Sequence, residues 1–292
     1  MKNWRRVMNI VITTESSCDI PAALRGKLGV LTVPFHVNFP GMSVDDNSIP
    51  VQEIYDFYEK THKIPQTSAV NPDEYRVFWE EVLAANPGAE ILHVGYSSAC
   101  SCSFQNAQIG RQDCKEPGRI RLVDGLNVSA GLGNLVMKAV QLRAEHPEEG
   151  LEELAKRVEG YVAKTRMVFV PDRLDFLAAG GRVSNAAALG AAILRLKPRI
   201  DIVKGELIAG RKYRGKMAHV VPHMLSDFLR GRSFDLSQAY MIHAAGAAEE
   251  ALERIRVLLR EHGFRRIYDW ELGCVMTVHG GKGAVGVSAT EL

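Results

Sequence analysis

Hydroxyl and thiol side chains are concentrated in the segment SSACSCS at residues 97 to 103, directly after a predicted strand over Ile91 to Gly95. A helix pattern rich in alanine and glutamine follows this segment. Serine hydroxyls can donate hydrogen bonds to an anion, and the unpaired N–H groups at the start of a helix can do the same. The four serines therefore predict an anion site at this strand-to-helix corner.

Three further polar corners occur at corresponding places in the chain. The first predicted strand ends in the residues TESS at 14 to 17, the loop before the helix of Tyr75 carries Thr67 and Ser68, and another strand ends at Asp124. In an open parallel sheet, ligands bind beyond the carboxyl ends of the strands. Any one serine or threonine here could serve only as a helix N-cap, but four such corners favour a shared binding site.

The elements that would position these corners alternate between strand and helix in the first half of the chain. Short β-branched runs, such as residues 10 to 14, are separated by segments with apolar residues at helical spacing, such as residues 51 to 61 and 73 to 85. This alternation predicts an α/β domain with a mainly parallel sheet. The segment VLTVPFHVNF at residues 30 to 39 is predicted to form one strand.

The second half of the chain has a different pattern. The segment RIDIVKGELIAG predicts a hairpin with Lys204 and Gly205 at its turn, so this half should contain a mixed sheet. CVMTVHGG at residues 274 to 281 is predicted to be a strand, and the small apolar segment NAAALGAAIL at residues 185 to 194 is predicted to pack closely. We therefore predict two α/β domains, residues 1–165 and residues 166–292, in firm contact because no linker-like segment separates them.

Composition limits the class of protein. The chain has 292 residues, 46% of them hydrophobic and 24% charged, and its formal net charge of +2 lacks the basic excess typical of nucleic-acid binding. No apolar run approaches the roughly 18 residues of a membrane-spanning helix, and the run VMNIVI is too short for a signal peptide. The five cysteines form no small-domain disulfide framework, which predicts a reducing cytoplasm.

The corners resemble those of the DegV family, bacterial fatty-acid-binding proteins that include the lipid-carrier subunits of fatty acid kinase. The resemblance spans nearly the whole chain, with its segments in family order. The seven matching segments are TTESSCDIP at 13 to 21, TSAVNP at 67 to 72, SSACSCSFQNA at 97 to 107, LVDGLNVSAGLGNLV at 122 to 136, LDFLAAGGRVS at 174 to 184, RKYRGK at 211 to 216 and VHGGKGAVG at 278 to 286.

The resemblance implies that a long-chain fatty acid such as palmitate, stearate or oleate lies in an apolar tunnel between the two domains. Carried over by position, the residues that would bind its carboxylate are Thr67, Ser101, Ser98 and His279. Ser68 and Arg214 would contact the head group or a partner. The resemblance also implies no metal, no cofactor and no catalysis by this chain, peripheral or no membrane contact, and a fatty acid kinase as partner.

The cysteines leave a first alternative open. Cys100 and Cys102 stand where the family has Leu and Gly, and with Cys18 they could form a redox or soft-metal site at a helix N-terminus. However, Cys-x-Cys is not the usual Cys-x-x-Cys redox spacing, and no second pair with metal-ligand spacing follows. Small buried side chains that fill space are the simpler interpretation.

A serine hydrolase or a phosphate enzyme is the second alternative. Ser101 and His279 could act as nucleophile and base if Glu15, which replaces the family's Asp, or Asp124 supplied the acid, although no G-x-S-x-G elbow is present. The glycine-rich segments AGLGNL and HGGKGAVG could approach a phosphate, but neither fits a P-loop or a dinucleotide fingerprint. The residues alone favour a binding protein over either enzyme.

Overall fold

The structure is a computed structural model that describes residues 9–184 and 196–292, so the segment at 185 to 194 lies outside the described residues. The strands are β1 (Ile10–Glu15), β2 (Val30–Val33), β3 (His36–Phe39), β4 (Met42–Asp45), β5 (Gln66–Ser68), β6 (Glu90–Gly95), β7 (Ile120–Asp124), β8 (Thr165–Val170), β9 (Val183–Ser184), β10 (Leu196–Val203), β11 (Glu206–Arg214), β12 (Gln238–His243), β13 (Arg266–Glu271) and β14 (Val285–Thr290). The helices are α1 (Ala22–Leu28), α2 (Gln52–Thr61), α3 (Pro72–Ala85), α4 (Ser103–Gln112), α5 (Ser129–Glu145), α6 (Leu151–Val162), α7 (Asp175–Gly180), α8 (Met217–Leu229), α9 (Glu249–Glu261) and α10 (Cys274–Gly280).

The first sheet is parallel, with the strand order β2-β1-β6-β7. β1 is buried at all six of its positions, as expected for a central strand with helices on both faces of the sheet. The strands β1, β6 and β7 end at Glu15, Gly95 and Asp124, so three of the predicted corners share one edge of this sheet. The predicted parallel α/β fold is confirmed.

The second sheet is mixed, with the strand order β13-β12-β14-β8-β10-β11-β9. β10 and β11 form the predicted hairpin, whose turn holds Lys204 at φ 51° and Gly205 at φ 87°. Two consecutive positive φ angles are typical of the type I′ turn, whose twist matches that of the paired strands. The predicted mixed sheet is therefore also confirmed.

Adjacent residues of β8 belong to two different apolar cores. Val168 packs with residues of α8 and α9, which cover the outer face of the mixed sheet. Met167 belongs to a larger core that also contains residues of the parallel sheet. The inner face of the mixed sheet is thus covered by the first half of the chain.

The segment predicted as one strand over residues 30 to 39 forms two strands instead. β2 adds to the parallel sheet, whereas β3 pairs with β4 and β5 in a separate antiparallel sheet. Pro34 stands between them, and a proline has no N–H to donate to a sheet ladder. One consequence is that Thr67 and Ser68 lie on the short strand β5 and not in a loop.

The prediction of a strand over residues 274 to 281 was wrong, because this segment forms the helix α10 and the last strand begins at Val285. The N–H groups at the start of α10 are bound by side chains from the other end of the chain. Asp19 Oδ1 accepts from Gly273 N at 2.9 Å, Asn47 Oδ1 from Cys274 N at 3.1 Å and Asp46 Oδ1 from Val275 N at 2.9 Å. Such a cap has no signal in the local sequence.

The chain leaves the helices of the parallel sheet at Val162 and enters the mixed sheet at Thr165. We keep residue 165 as the proposed domain boundary. Among the helices of the described ranges, none combines the length and the apolar character needed to cross a membrane.

Candidate functional site

A cavity of about 400 Å³ lies between the parallel sheet and the inner face of the mixed sheet. Its walls come from both halves of the chain. The polar groups that line it include Thr67, Ser68, Ser101, Arg182 and His279, and the apolar ones include Met167, Phe169, Leu207, Ile242 and Met276. A cavity of this size, mainly apolar with a few polar groups, is typical of sites for small organic ligands.

Thr67 and His279 are joined by a hydrogen bond that connects the two halves of the chain. Thr67 Oγ1 and His279 Nε2 are 2.9 Å apart, and His279 Nδ1 is buried with no hydrogen-bond partner among the described residues. Burial, together with the positive charge of Arg182, lowers the pKa of His279 to about 4. The imidazole is therefore neutral near pH 7 and acts as a hydrogen-bonding group.

Gly180 allows the His279 ring to come this close to α7. A Cβ atom at Gly180 would collide with His279 Nδ1, and Gly181, which ends the helix, has a φ of 62° that favours glycine. Arg182 follows directly, and its Nη1 donates to Gly180 O at 2.6 Å. The two glycines thus place both a neutral imidazole and a guanidinium at the same end of the cavity.

The corner at residues 97 to 103 makes two kinds of contact. Ser97 Oγ and Cys100 Sγ both donate to Gly205 O, at 2.8 and 2.9 Å, so this corner holds the tip of the β10–β11 hairpin. Ser101 Oγ accepts from Ser103 N at 3.1 Å, at the start of α4. Since that hydroxyl acts as an acceptor there, its proton is available to a ligand in the cavity.

Glu15 supports this corner from behind. It is fully buried, Tyr75 Oη donates to its Oε1 at 2.6 Å, and Tyr96 N donates to its Oε2 at 2.9 Å. Burial alone would raise the pKa of Glu15, but His93 and these hydrogen bonds outweigh it and lower the pKa. Tyr75 Oη also contacts Ser103 Oγ at 2.8 Å, so a buried carboxylate fixes the start of α4.

Four of the six predicted site residues line the cavity, namely Thr67, Ser68, Ser101 and His279. Ser98 is exposed, and its backbone N–H donates to Asp124 Oδ1 at 3.2 Å. Arg214 is exposed at the end of β11. Neither Ser98 nor Arg214 is among the lining residues.

Arg182 is a basic residue that lines the cavity in the described part of the chain, although the sequence did not single it out. It is exposed and lines the cavity beside His279. The signal that could have found it is its place in the segment LDFLAAGGRVS, directly after two glycines that end a helix. In the sequence it looks like one of several surface arginines.

The alternative chemistries find little support in the geometry. Burial raises the pKa of Cys18 to about 12 and that of Cys100 to about 11, the opposite of a reactive thiolate. Among the described residues no acid is hydrogen-bonded to His279 Nδ1. The two candidate acids have other partners, since Glu15 binds Tyr75 and Asp124 accepts from backbone N–H groups. No group of three metal-ligating side chains was found in the residues that the structure covers.

Comparison with known proteins adds a family. A family model matches residues 9–292, and its description is "Uncharacterised protein, DegV family". A DegV domain-containing protein of Clostridium acetobutylicum is 30% identical over 95% of this chain and 97% of its own. A DegV family protein from Thermus thermophilus, whose structure concerns fatty acid binding, is 28% identical with a TM-score of 0.85 and covers 98% of this chain and 100% of its own. DegV of Bacillus subtilis, a fatty acid binding protein, shares the fold at 23% identity, with a TM-score of 0.80 over 98% of this chain and 100% of its own.

Proposed function

The chain belongs to the DegV family, and from that premise we propose that it binds a long-chain fatty acid, such as palmitate, stearate or oleate, in the cavity between its two halves. The observation that carries the proposal is the distribution of groups around this cavity. Thr67 is hydrogen-bonded to His279, and Arg182 follows the glycines that pack against the His279 ring, so a hydroxyl, an imidazole and a guanidinium lie close together. Most of the other lining residues are apolar. This distribution matches an amphipathic ligand with one polar end.

The carboxylate head group binds to the hydroxyls of Thr67 and Ser101, and His279 supports its binding through Thr67. With its proton on Nε2, His279 donates to Thr67 Oγ1, and the hydroxyl proton of Thr67 then points to the ligand. Ser101 donates the second hydrogen bond. A carboxylate that leaves water must recover strong hydrogen bonds, and the nearby charge of Arg182 offsets part of that cost. Ser68 lies beside Thr67 and contacts the head group from β5.

The acyl chain supplies most of the affinity. Each buried methylene contributes roughly 0.8 kcal/mol, so the apolar walls built from residues such as Met167, Phe169 and Ile242 determine how tightly the ligand is held. The head group contributes orientation, because it places the carboxylate at the exposed end beside Arg182.

We propose further that the chain is a carrier without catalytic activity and that a partner fatty acid kinase phosphorylates the bound carboxylate. The exposed position of Arg182 at the polar end supports this, because a kinase must reach the head group there. The five cysteines of the chain are all free, which favours a reducing, cytoplasmic location, with peripheral or no membrane contact.

The proposal is tested on the purified full-length protein. Organic extraction followed by mass spectrometry should release a long-chain fatty acid, and delipidated protein should bind added palmitate or oleate. If extraction yields no lipid and neither acid binds, the proposal fails. Hydrolysis of acyl esters by the pure protein, abolished by Ser101→Ala, would instead establish the hydrolase.

A further inference from the structure

The floor of the cavity runs across the strands of the mixed sheet. Leu207 on β11, Met167 and Phe169 on β8, and Ile242 on β12 all line it. In the strand order β11-β10-β8-β14-β12, Leu207 and Ile242 are separated by four strand-to-strand steps. At about 4.8 Å a step, the floor is about 19 Å long. An extended chain advances about 1.2 Å per bond, so about sixteen bonds span the floor.

The polar end of the cavity lies on the β11 side of this floor. Arg182 directly precedes Val183, which pairs with Leu207 across β9 and β11. At the other side, Leu272 lines the cavity and its N–H donates to His243 O, beside Ile242. Ile242 is 2% exposed, whereas Arg182 is exposed. A ligand whose head group lies near Arg182 therefore points its tail toward Ile242.

Gly286 lies on β14 beneath this route, between two residues of the floor. It pairs with Ile242 on one side and with Phe169 on the other, so all three residues face the same side of the sheet. A Cβ atom at Gly286 would stand 2.8 Å from Phe169 Cβ and 3.0 Å from Ile242 Cγ2, and 2.7 Å from the Val168 carbonyl oxygen. Because these distances are too short, an added methyl group would push the floor residues toward the cavity.

We propose that Gly286 sets the length of acyl chain that the cavity accepts. This inference rests on the proposed function. The absence of a side chain lets Phe169 and Ile242 pack closely at Gly286. Gly286 lies three strand-to-strand steps from the β11 side, and only a tail that passes this point reaches the far end. A short acid ends before Gly286, so its binding depends on that residue less than the binding of a long acid does.

The test measures the affinity of delipidated protein for decanoate, laurate, myristate, palmitate and stearate, by competition with a fluorescent fatty acid. Gly286→Ala should weaken the binding of palmitate and stearate by about fourfold for each methylene that is no longer buried, and it should weaken the binding of decanoate less. Gly160→Ala is the matched control, because its Cβ meets nothing within 4 Å on α6. The control should bind the whole series like the wild type.

Ile242→Val provides a second variant that does not crowd the sheet. It removes a methylene from the closed end, so the variant should prefer a longer acid than the wild type does. The expected result is a higher ratio of stearate to myristate affinity than in the wild type. The role of Gly286 would be overturned if Gly286→Ala weakened the binding of all five acids equally and Ile242→Val left the ratio of stearate to myristate affinity unchanged. That result would leave the proposed function intact. If the wild type binds none of the acids, the proposed function itself fails.

Discussion

Ser101 and Thr67 both present hydroxyls to the cavity, but their surroundings differ. Thr67 shares its hydroxyl with His279 across the interface, whereas Ser101 accepts only the Ser103 N–H among the described residues. The hydroxyl proton of Ser101 is therefore committed to nothing else in the described structure. At the scale of single residues, removal of the Ser101 hydroxyl should weaken the binding of a carboxylate most directly.

Ser101→Ala should weaken fatty acid binding by one to two orders of magnitude, since a hydrogen bond to a charged group contributes about 1.5 to 3 kcal/mol. Cys102→Ala is the matched control, because Cys102 is the next residue and also lines the cavity. Titration with a fluorescent fatty acid measures both. Loss of binding in the cysteine variant with full binding in Ser101→Ala would contradict the proposed head-group site.

Arg182→Gln should weaken binding by about fivefold at low salt, the effect of about 1 kcal/mol for an exposed charge, and the difference from wild type should shrink as salt rises. Arg214→Gln is the control, since Arg214 is equally exposed but does not line the cavity. Affinities at two ionic strengths measure both variants. A larger loss of affinity in Arg214→Gln than in Arg182→Gln would indicate that Arg214, the residue predicted from the sequence, acts on the head group.

The sequence could select Thr67, Ser101 and His279, which all line the cavity, because each stands in a segment whose order along the chain is distinctive. It could not separate Arg182 from Arg214. Both are arginines in basic segments, and only the fold decides which of them lies beside His279. Burial and proximity are properties of the tertiary structure, and a list of residue types does not contain them.

At the scale of elements, α10 depends most on its surroundings. It has seven residues, and its first N–H groups are capped by Asp19, Asn47 and Asp46 from the first half of the chain. His279 lies in its last turn. The orientation of α10 therefore connects these distant caps to the proposed head-group site.

Asp46→Ala should lower the free energy of unfolding by about 2 to 4 kcal/mol, because the buried N–H of Val275 and the hydroxyl of Ser16 lose their acceptor. It should also weaken fatty acid binding, since α10 carries His279. Chemical denaturation and ligand titration measure the two effects. Asp45→Ala, at the neighbouring exposed position, should change stability by less than about 1 kcal/mol; equal losses in both variants would contradict the capping role.

The two hairpin strands β10 and β11 were predictable because their turn is encoded locally by Lys204 and Gly205. The helix α10 was not predictable, because the groups that stabilise its start lie more than two hundred residues away in the chain. A local sequence pattern predicts an element correctly when residues of that element form the hydrogen bonds of its backbone. The prediction fails where the hydrogen-bond partners come from distant parts of the chain.

At the scale of the whole molecule, the interface between the halves is also where the site lies. Thr67 meets His279 there, and Ser97 and Cys100 hold the hairpin tip at Gly205. The sequence predicted the parallel sheet of the first half and the mixed sheet of the second half, but not the small antiparallel sheet of β3, β4 and β5. It could not predict how one sheet faces the other, because that arrangement depends on contacts between residues far apart in the chain.

The protonation of His279 should affect the stability of the delipidated protein. Burial lowers its pKa from an ordinary 6.5 to about 4, so between these pH values the unfolded chain binds a proton here and the folded chain does not. The contribution of neutral His279 to the free energy of unfolding is fully present above pH 6.5 and is lost as the pH falls toward 4.

Comparison with His279→Gln isolates this effect, because the other titrating groups are common to both proteins. The difference in free energy of unfolding, wild type minus variant, should fall as the pH is lowered from 6.5 to 4. Denaturation with urea at several pH values measures it. A difference that stays constant over this range would mean that His279 titrates normally in the folded protein.

The caps of α10 also bear on the order in which the chain can fold during synthesis. A seven-residue helix is too short to persist in water by itself, and its caps come from residues that leave the ribosome first. The first half can fold while the second is still being made, and it then offers Asp19, Asp46 and Asn47 as a template. The segment 274–280 should turn helical only on docking there, so the proposed fatty acid site should be completed among the last steps of folding.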